Sequence, residues 1–133
     1  MQKFLIVFDG GSKGNPGPAY GSFFIQPWQE KSGIIERLQF GDGTNNEAEY
    51  MALIAALRSL LAFLAGNQTN PEETALEIRG DSQLVLRQVK GQWKAKDSRM
   101  RALRDEVVQL VDRFGRVEFK EQPRESIVKR LGH

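Results

Sequence analysis

Five consecutive apolar residues, Phe4-Leu5-Ile6-Val7-Phe8, run straight into Asp9-Gly10-Gly11-Ser12-Lys13-Gly14-Asn15-Pro16-Gly17-Pro18. A strand without polar alternation is covered on both faces, so this chain must lay other elements over a sheet that has residues 2–8 near its centre. Asp9 stands where that strand meets a glycine-rich turn. An ionised carboxylate at a buried strand end is costly unless a charge pairs with it. The neighbouring glycines leave the backbone bare, so an anionic ligand can come close. By itself the segment fits equally well a turn in which Asp9 bonds its own backbone.

Further strands are expected over residues 20–27 and 32–40, joined by a turn at 28–31. Thr44-Asn45 precedes a helical stretch over 47–65, in which Leu53, Leu57, Leu60, Leu61 and Leu64 recur at helical spacing. A strand over 74–79, a helix capped by Asp81-Ser82 and running to about Val89, a helix over 99–114 and a strand over 116–121 follow. Pro123 opens a short tail. A three-strand antiparallel meander followed by helix-strand-helix-strand predicts an α/β fold with a five-stranded mixed sheet flanked by helices. The strand after the long helix is expected beside the first and parallel to it, which brings Asp9 and Asp81 to neighbouring strand ends, where open sheets bind ligands.

At 133 residues the chain is read as a single domain. Met1 leads almost directly into the first strand, so no leader is expected, and the apolar stretches are read as too short to cross a bilayer. With no Cys and a lone His at position 133, disulfides, thiolate metal sites and a Ser-His-Asp triad are excluded or nearly so. A cytoplasmic, monomeric protein relying on carboxylates, with no membrane or obligate protein partner, is the expectation. Net charge is only +2, but Arg87, Lys90, Lys94, Lys96, Arg99, Arg101 and Arg104 cluster around Trp93 against Asp97 alone. That block suits phosphate contact by Lys94 and Lys96 and stacking on Trp93; it also suits a solvated helix face.

Glu49 lies in line with Leu53, Ala56 and Leu60, on the stripe that should face the sheet, an odd place for a solvated carboxylate. Favourable interaction with the helix N-terminus is the simpler account of it. Glu47, about 200° round the axis, is expected at the surface. If Asp9, Glu49 and Asp81 share a crevice they repel one another unless cations bind among them. An all-oxygen set selects a hard ion, Mg²⁺ or Mn²⁺, and two such ions suit in-line attack of water on a phosphodiester.

The segments Asp9-Gly-Gly-Ser-Lys-Gly-Asn-Pro-Gly-Pro, Thr44-Asn45-Asn46-Glu47-Ala48-Glu49 and Asp81-Ser82-Gln83-Leu84-Val85 resemble, in order and spacing, the three signature segments of type 1 ribonuclease H. The resemblance covers essentially the whole chain. It implies the ribonuclease H fold and metal-dependent endonucleolytic cleavage of RNA paired to DNA, leaving 3′-OH and 5′-phosphate ends. It implies Asp9, Glu49 and Asp81 as the catalytic, metal-binding carboxylates. It also implies Asn15, Asn45, Asn46 and Gln83 as contacts to the minor groove of the hybrid, and Thr44 as a contact to the DNA phosphate. An amide donates and accepts at once, so it can read a ribose 2′-OH without regard to sequence; as cap, turn or solvated residues these positions need no ligand.

The family's usual fourth carboxylate, near the C-terminus, is not matched. The segment at about 123–133 is shortened, and Lys129 aligns with the missing Asp, where a cation would repel metal. Glu125 is the candidate to swing in; Glu121 belongs to the preceding strand and is poorer. His133 invites comparison with a mobile family His, but a terminal His is more often solvated. Two other readings follow: a nuclease-impaired module of the same fold that binds hybrid or double-stranded RNA, and a DNA resolvase or integrase-like nuclease.

Overall fold

The computed structural model describes residues 1–132, so His133 lies outside the described residues. Strands β1 (Gln2–Ser12), β2 (Gly17–Pro27) and β3 (Ile34–Gly43) form the meander. Helix α1 (Asn45–Gly66), a 3-10 turn at Pro71–Glu73, β4 (Thr74–Gly80), α2 (Gln83–Val89), α3 (Ser98–Val111), β5 (Arg116–Glu121) and α4 (Arg124–Leu131) follow. The sheet order is β3-β2-β1-β4-β5, with β2 antiparallel to both β1 and β3, and β4 parallel to both β1 and β5.

The apolar run of β1 feeds two cores. Phe4, Ile6 and Phe8 point to the face covered by α1, where they meet Leu53, Leu57, Leu60 and Leu64 together with Leu76 and Ile78 of β4. Leu5 and Val7 point the other way, and with Phe24 they are covered by Ile127 and Leu131 of α4. The expected tail is therefore a helix, because Ile127 and Leu131 at i, i+4 make one apolar stripe that seals the second face of β1. The expectation that no apolar stretch reaches bilayer length fails for α1, whose 22 residues are long and apolar enough by that measure. Its leucines instead pack on the sheet.

Two boundaries matter for the site. Helix α1 starts at Asn45, two residues earlier than expected, because Thr44 and Glu47 form a capping box. Strand β1 does not stop at Phe8. It pairs with β2 as far as Ser12↔Ala19, whereas its ladder with β4 ends at Val7↔Arg79. Asp9 is thus held in a regular antiparallel pair and still projects past the end of the parallel one. Gly10 is what lets β1 pass under the start of α1: a Cβ there would lie 2.4 Å from the Ala48 carbonyl and 2.6 Å from the Glu49 nitrogen. Gly10→Ala is expected to cost about 3 kcal/mol, the scale of overpacking against backbone that cannot yield. Urea unfolding measures it, and a loss under about 0.5 kcal/mol would mean that α1 shifts freely.

Candidate active site

Asp9, Glu49 and Asp81 each offer an oxygen within 4.8 Å of the others. They come from three elements. Asp9 lies just beyond the β1–β4 ladder, Asp81 directly follows β4, and Glu49 stands in the second turn of α1. Asp9 and Glu49 are buried, at 7% and 6% exposure, and Asp81 is half-buried. The Gly10 N–H donates to Glu49 Oε1, which locks α1 to β1 at this point. Asp9 Oδ1 is buried without a hydrogen-bond partner among the described residues.

Burial, reinforced by the closeness of Asp9 and Asp81 and only partly opposed by the Gly10 N–H, pushes the Glu49 carboxyl up to about 9. In metal-free protein Glu49 therefore carries a proton at neutral pH. Because the folded value lies above the unfolded one, this stability is full below about pH 4.3 and is lost as pH rises toward the folded value. Melting temperature of metal-free protein is expected to fall between about pH 5 and about pH 9, and Glu49→Gln to flatten that fall. An unchanged slope in the variant would place the proton elsewhere.

The cation beside the cluster is Arg124, not Lys129. Arg124 opens α4, and its Nη1 lies 3.1 Å from Asp81 Oδ2 and 3.6 Å from Asp9 Oδ1. The charge of Asp9 and a hydrogen bond to Asp81 raise the guanidinium's pKa. Lys129 is carried more than a turn along α4 to a hollow it shares with Arg79 and Arg130. Lys129, aligned with the fourth position in sequence, lies away from the cluster because α4 is seated by Ile127 and Leu131, and that seating turns residue 124 to the site. Glu125 is exposed and outside the carboxylate cluster, and Glu121 pairs with Arg87 at 3.8 Å.

The polar residues flank this cluster. Asn15 Oδ1 accepts from the Asn45 N–H at 3.0 Å, and Asn45 Oδ1 accepts from the Ser12 N–H at 2.8 Å. Each carbonyl oxygen is engaged with backbone, which leaves both exposed NH₂ groups to donate outward. The Asn15–Pro16 bond is cis. Thr44, rather than Asn45 or Asn46, is the helix cap, its hydroxyl accepting from the Glu47 N–H at 3.1 Å. Asn46 is exposed in the first turn. Glu47, expected at the surface, is half-buried and reaches Arg99 Nε at 3.1 Å. Gln83 is exposed, and its amide oxygen, turned toward Arg87, accepts from Nε and Nη2 at 3.2 and 3.1 Å.

The basic segment is anchored from below. Tyr50 Oη donates to Gln88 Oε1 at 2.6 Å, and Gln88 Nε2 donates to the Lys94 carbonyl at 3.3 Å. Ala95 is buried between Lys94 and Lys96, which leaves both lysines exposed. Trp93 is 42% exposed, and Arg87 lies 5.4 Å from its ring centre. Sequence reasoning missed Arg124 and the Tyr50–Gln88 link. The signal for Gln88 is an amide among apolar helix positions; for Arg124 there is none in the local pattern.

Three carboxylates with no nitrogen or sulfur donor fit a hard divalent cation. Asp9 Oδ1, buried with no hydrogen bond among the described residues and with Arg124 Nη1 3.6 Å away, is an atom such an ion would satisfy.

The chain as a whole is similar to known proteins. The family described as reverse transcriptase-like matches residues 33–128. A curated protein named ribonuclease HI, from Halobacterium salinarum, is 38% identical over 109 residues, which is 80% of this chain and 50% of the relative. The N-terminal RNase H domain of a Mycobacterium tuberculosis protein superimposes with a TM-score of 0.85 at 31% identity, covering 97% of this chain and 95% of that one. LC11-RNase H1, solved in complex with an RNA/DNA hybrid, gives 0.84 at 31% identity, covering 95% and 89%. The chain spans 32% to 54% of the length of the curated relatives it matches.

Proposed function

The chain belongs to the type 1 ribonuclease H family, and on that premise we propose that it is an endoribonuclease cutting the RNA strand of RNA/DNA hybrids. The observation that carries this reading is the meeting of Asp9, Glu49 and Asp81 within 4.8 Å at the end of the β1–β4 ladder. Mg²⁺ or Mn²⁺ held by these three would supply an activated water and charge stabilisation at the phosphate.

The chain's own residues do the rest. Asp9 and Glu49, both buried, would hold the ions together with the half-buried Asp81. The Gly10 N–H, donating to Glu49 Oε1, holds that carboxyl in place. The outward amides of Asn15 and Asn45, with Asn46 and Gln83, meet the minor groove, where a 2′-OH tells RNA from DNA. The Thr44 hydroxyl accepts from Glu47 and keeps its own proton for a phosphate oxygen. Trp93, Lys94 and Lys96 extend the contact to the backbone. Arg124, whose side chain is 68% exposed, would have to swing away from Asp9 and Asp81 for a cation to be held there. We read the enzyme as a cytoplasmic monomer of one domain without an obligate protein partner.

The test is cleavage of a labelled hybrid beside RNA/RNA and DNA/DNA duplexes, with Mg²⁺ and Mn²⁺ titrated separately. Light scattering of the same preparation gives its mass. The expected result is metal-dependent cutting of RNA in the hybrid alone, with 5′-phosphate ends. Binding without cutting at any metal level would favour the nuclease-impaired module, and cutting of DNA would favour a resolvase-like enzyme.

A further inference from the structure

The face of the sheet opposite α1 is only partly covered. Helix α4 seals Leu5, Val7 and Phe24, and a trough remains beside it. A hollow of about 500 Å³ lies between α4 and β4, with Arg79, Gln122, Ser126, Lys129 and Arg130 on its walls. A smaller one of about 170 Å³ shares Arg79 and Arg130 and reaches Trp28. A third, of about 340 Å³, continues from Trp28 past Lys3 to the N-terminus.

The trough is basic by construction. Glu77, 1% exposed, holds Arg79 at 2.6 Å, Lys120 at 3.3 Å and Lys3 at 3.5 Å. Burial would raise its pKa, but the hydrogen bonds and charges of Arg79 and Lys120 outweigh burial and keep it low. Three cations thus face one anion, and Lys129 and Arg130 add two more charges with no carboxylate partner among the described residues. Glu30, at the far end, is the one acidic side chain on the walls of these hollows among the described residues. Trp28 is 42% exposed there, with Lys3 Nζ 3.8 Å from its ring centre.

We propose that this trough is a binding surface for single-stranded nucleic acid, with Arg130, Lys129 and Arg79 along the backbone and Trp28 as a stacking platform. A basic track ending in an exposed aromatic ring is the sequence-tolerant arrangement that single strands use, and only an unpaired base can offer its face to Trp28. Val7 and Arg79 lie two residues before Asp9 and Asp81, so the trough opens beside the carboxylate cluster. Lys3 lies about 20 Å from Asp9 by strand rise. A strand continuing beyond a paired segment has a path here that the groove contacts of the hybrid do not use.

The two tryptophans make the test direct. In a Trp93→Phe background Trp28 is the one remaining tryptophan. Its fluorescence is expected to be quenched by a ten-nucleotide single-stranded RNA in metal-free buffer. Adding Lys129→Glu and Arg130→Glu is expected to weaken that binding at least tenfold and to make the logarithmic salt slope shallower by about 1.4, the value for two lost phosphate contacts. Blunt hybrid cleavage by the Lys129→Glu/Arg130→Glu protein should be unchanged, which separates this surface from the hybrid site. Absence of quenching, or equal RNA affinity in the charge-reversed protein, would overturn the proposal. So would an equal loss of blunt-hybrid cleavage.

Discussion

Asp9→Asn is expected to lower hybrid cleavage by roughly 10³-fold while leaving the fold intact, the scale for removing one preorganised electrostatic partner from a reacting centre. Asn matches Asp in shape, so the Asp9↔Ser22 pairing of β1 with β2 has no steric reason to change. What changes is charge. Asp9 is buried with one oxygen free of hydrogen bonds among the described residues, and it faces Glu49 and Asp81. Neutralising it removes the cost of a buried charge and its repulsion with Asp81 in metal-free protein, and a ligand in metal-loaded protein. Metal-free melting temperature should therefore rise as activity falls, the trade-off of a site strained for function. The Glu49 carboxyl should also titrate lower. Near-normal turnover would remove Asp9 from the site.

Arg124→Asp is expected to reduce the Mg²⁺ concentration needed for half-maximal cleavage by about tenfold, with a matching gain in calorimetric metal affinity. The substitution replaces a positive charge 3.1 Å from Asp81 and 3.6 Å from Asp9 with a negative one. In a buried site such a reversal would count for far more, but the Arg124 side chain is 68% exposed and water screens it. Arg124→Ala should give a smaller gain of the same sign. Lys129→Asp should leave metal affinity unchanged, because that side chain lines the hollow beside Arg79. If Lys129→Asp improves metal binding and Arg124→Asp does not, α4 sits differently in solution and the alignment of Lys129 with the fourth carboxylate returns.

Legibility divides along range in the chain. Strand β5 spans Arg116–Glu121, the same bounds that the sequence pattern predicts, because Gly115 and Pro123 punctuate it locally. The long helix, the meander and the parallel partner of β1 were legible for the same reason: periodicity and turn residues act over a few positions. The three carboxylates were legible because each sits in its own short motif. The long helix starts two residues before its predicted bound because Thr44 and Glu47 decide the cap jointly, whereas in sequence Glu47 reads as a surface charge.

What the sequence by itself determined is therefore the element order as far as β5, the fold class and the identity of the clustered carboxylates, all of which follow from local pattern and chemistry. Only the tertiary structure decided which cation faces them. Residue 124 meets residues 9 and 81 because Ile127 and Leu131 bury against Leu5, Val7 and Phe24. The same packing carries Lys129 away to the trough that ends at Trp28. Those outcomes depend on how one apolar stripe seats on a distant strand, and no window of sequence contains both partners.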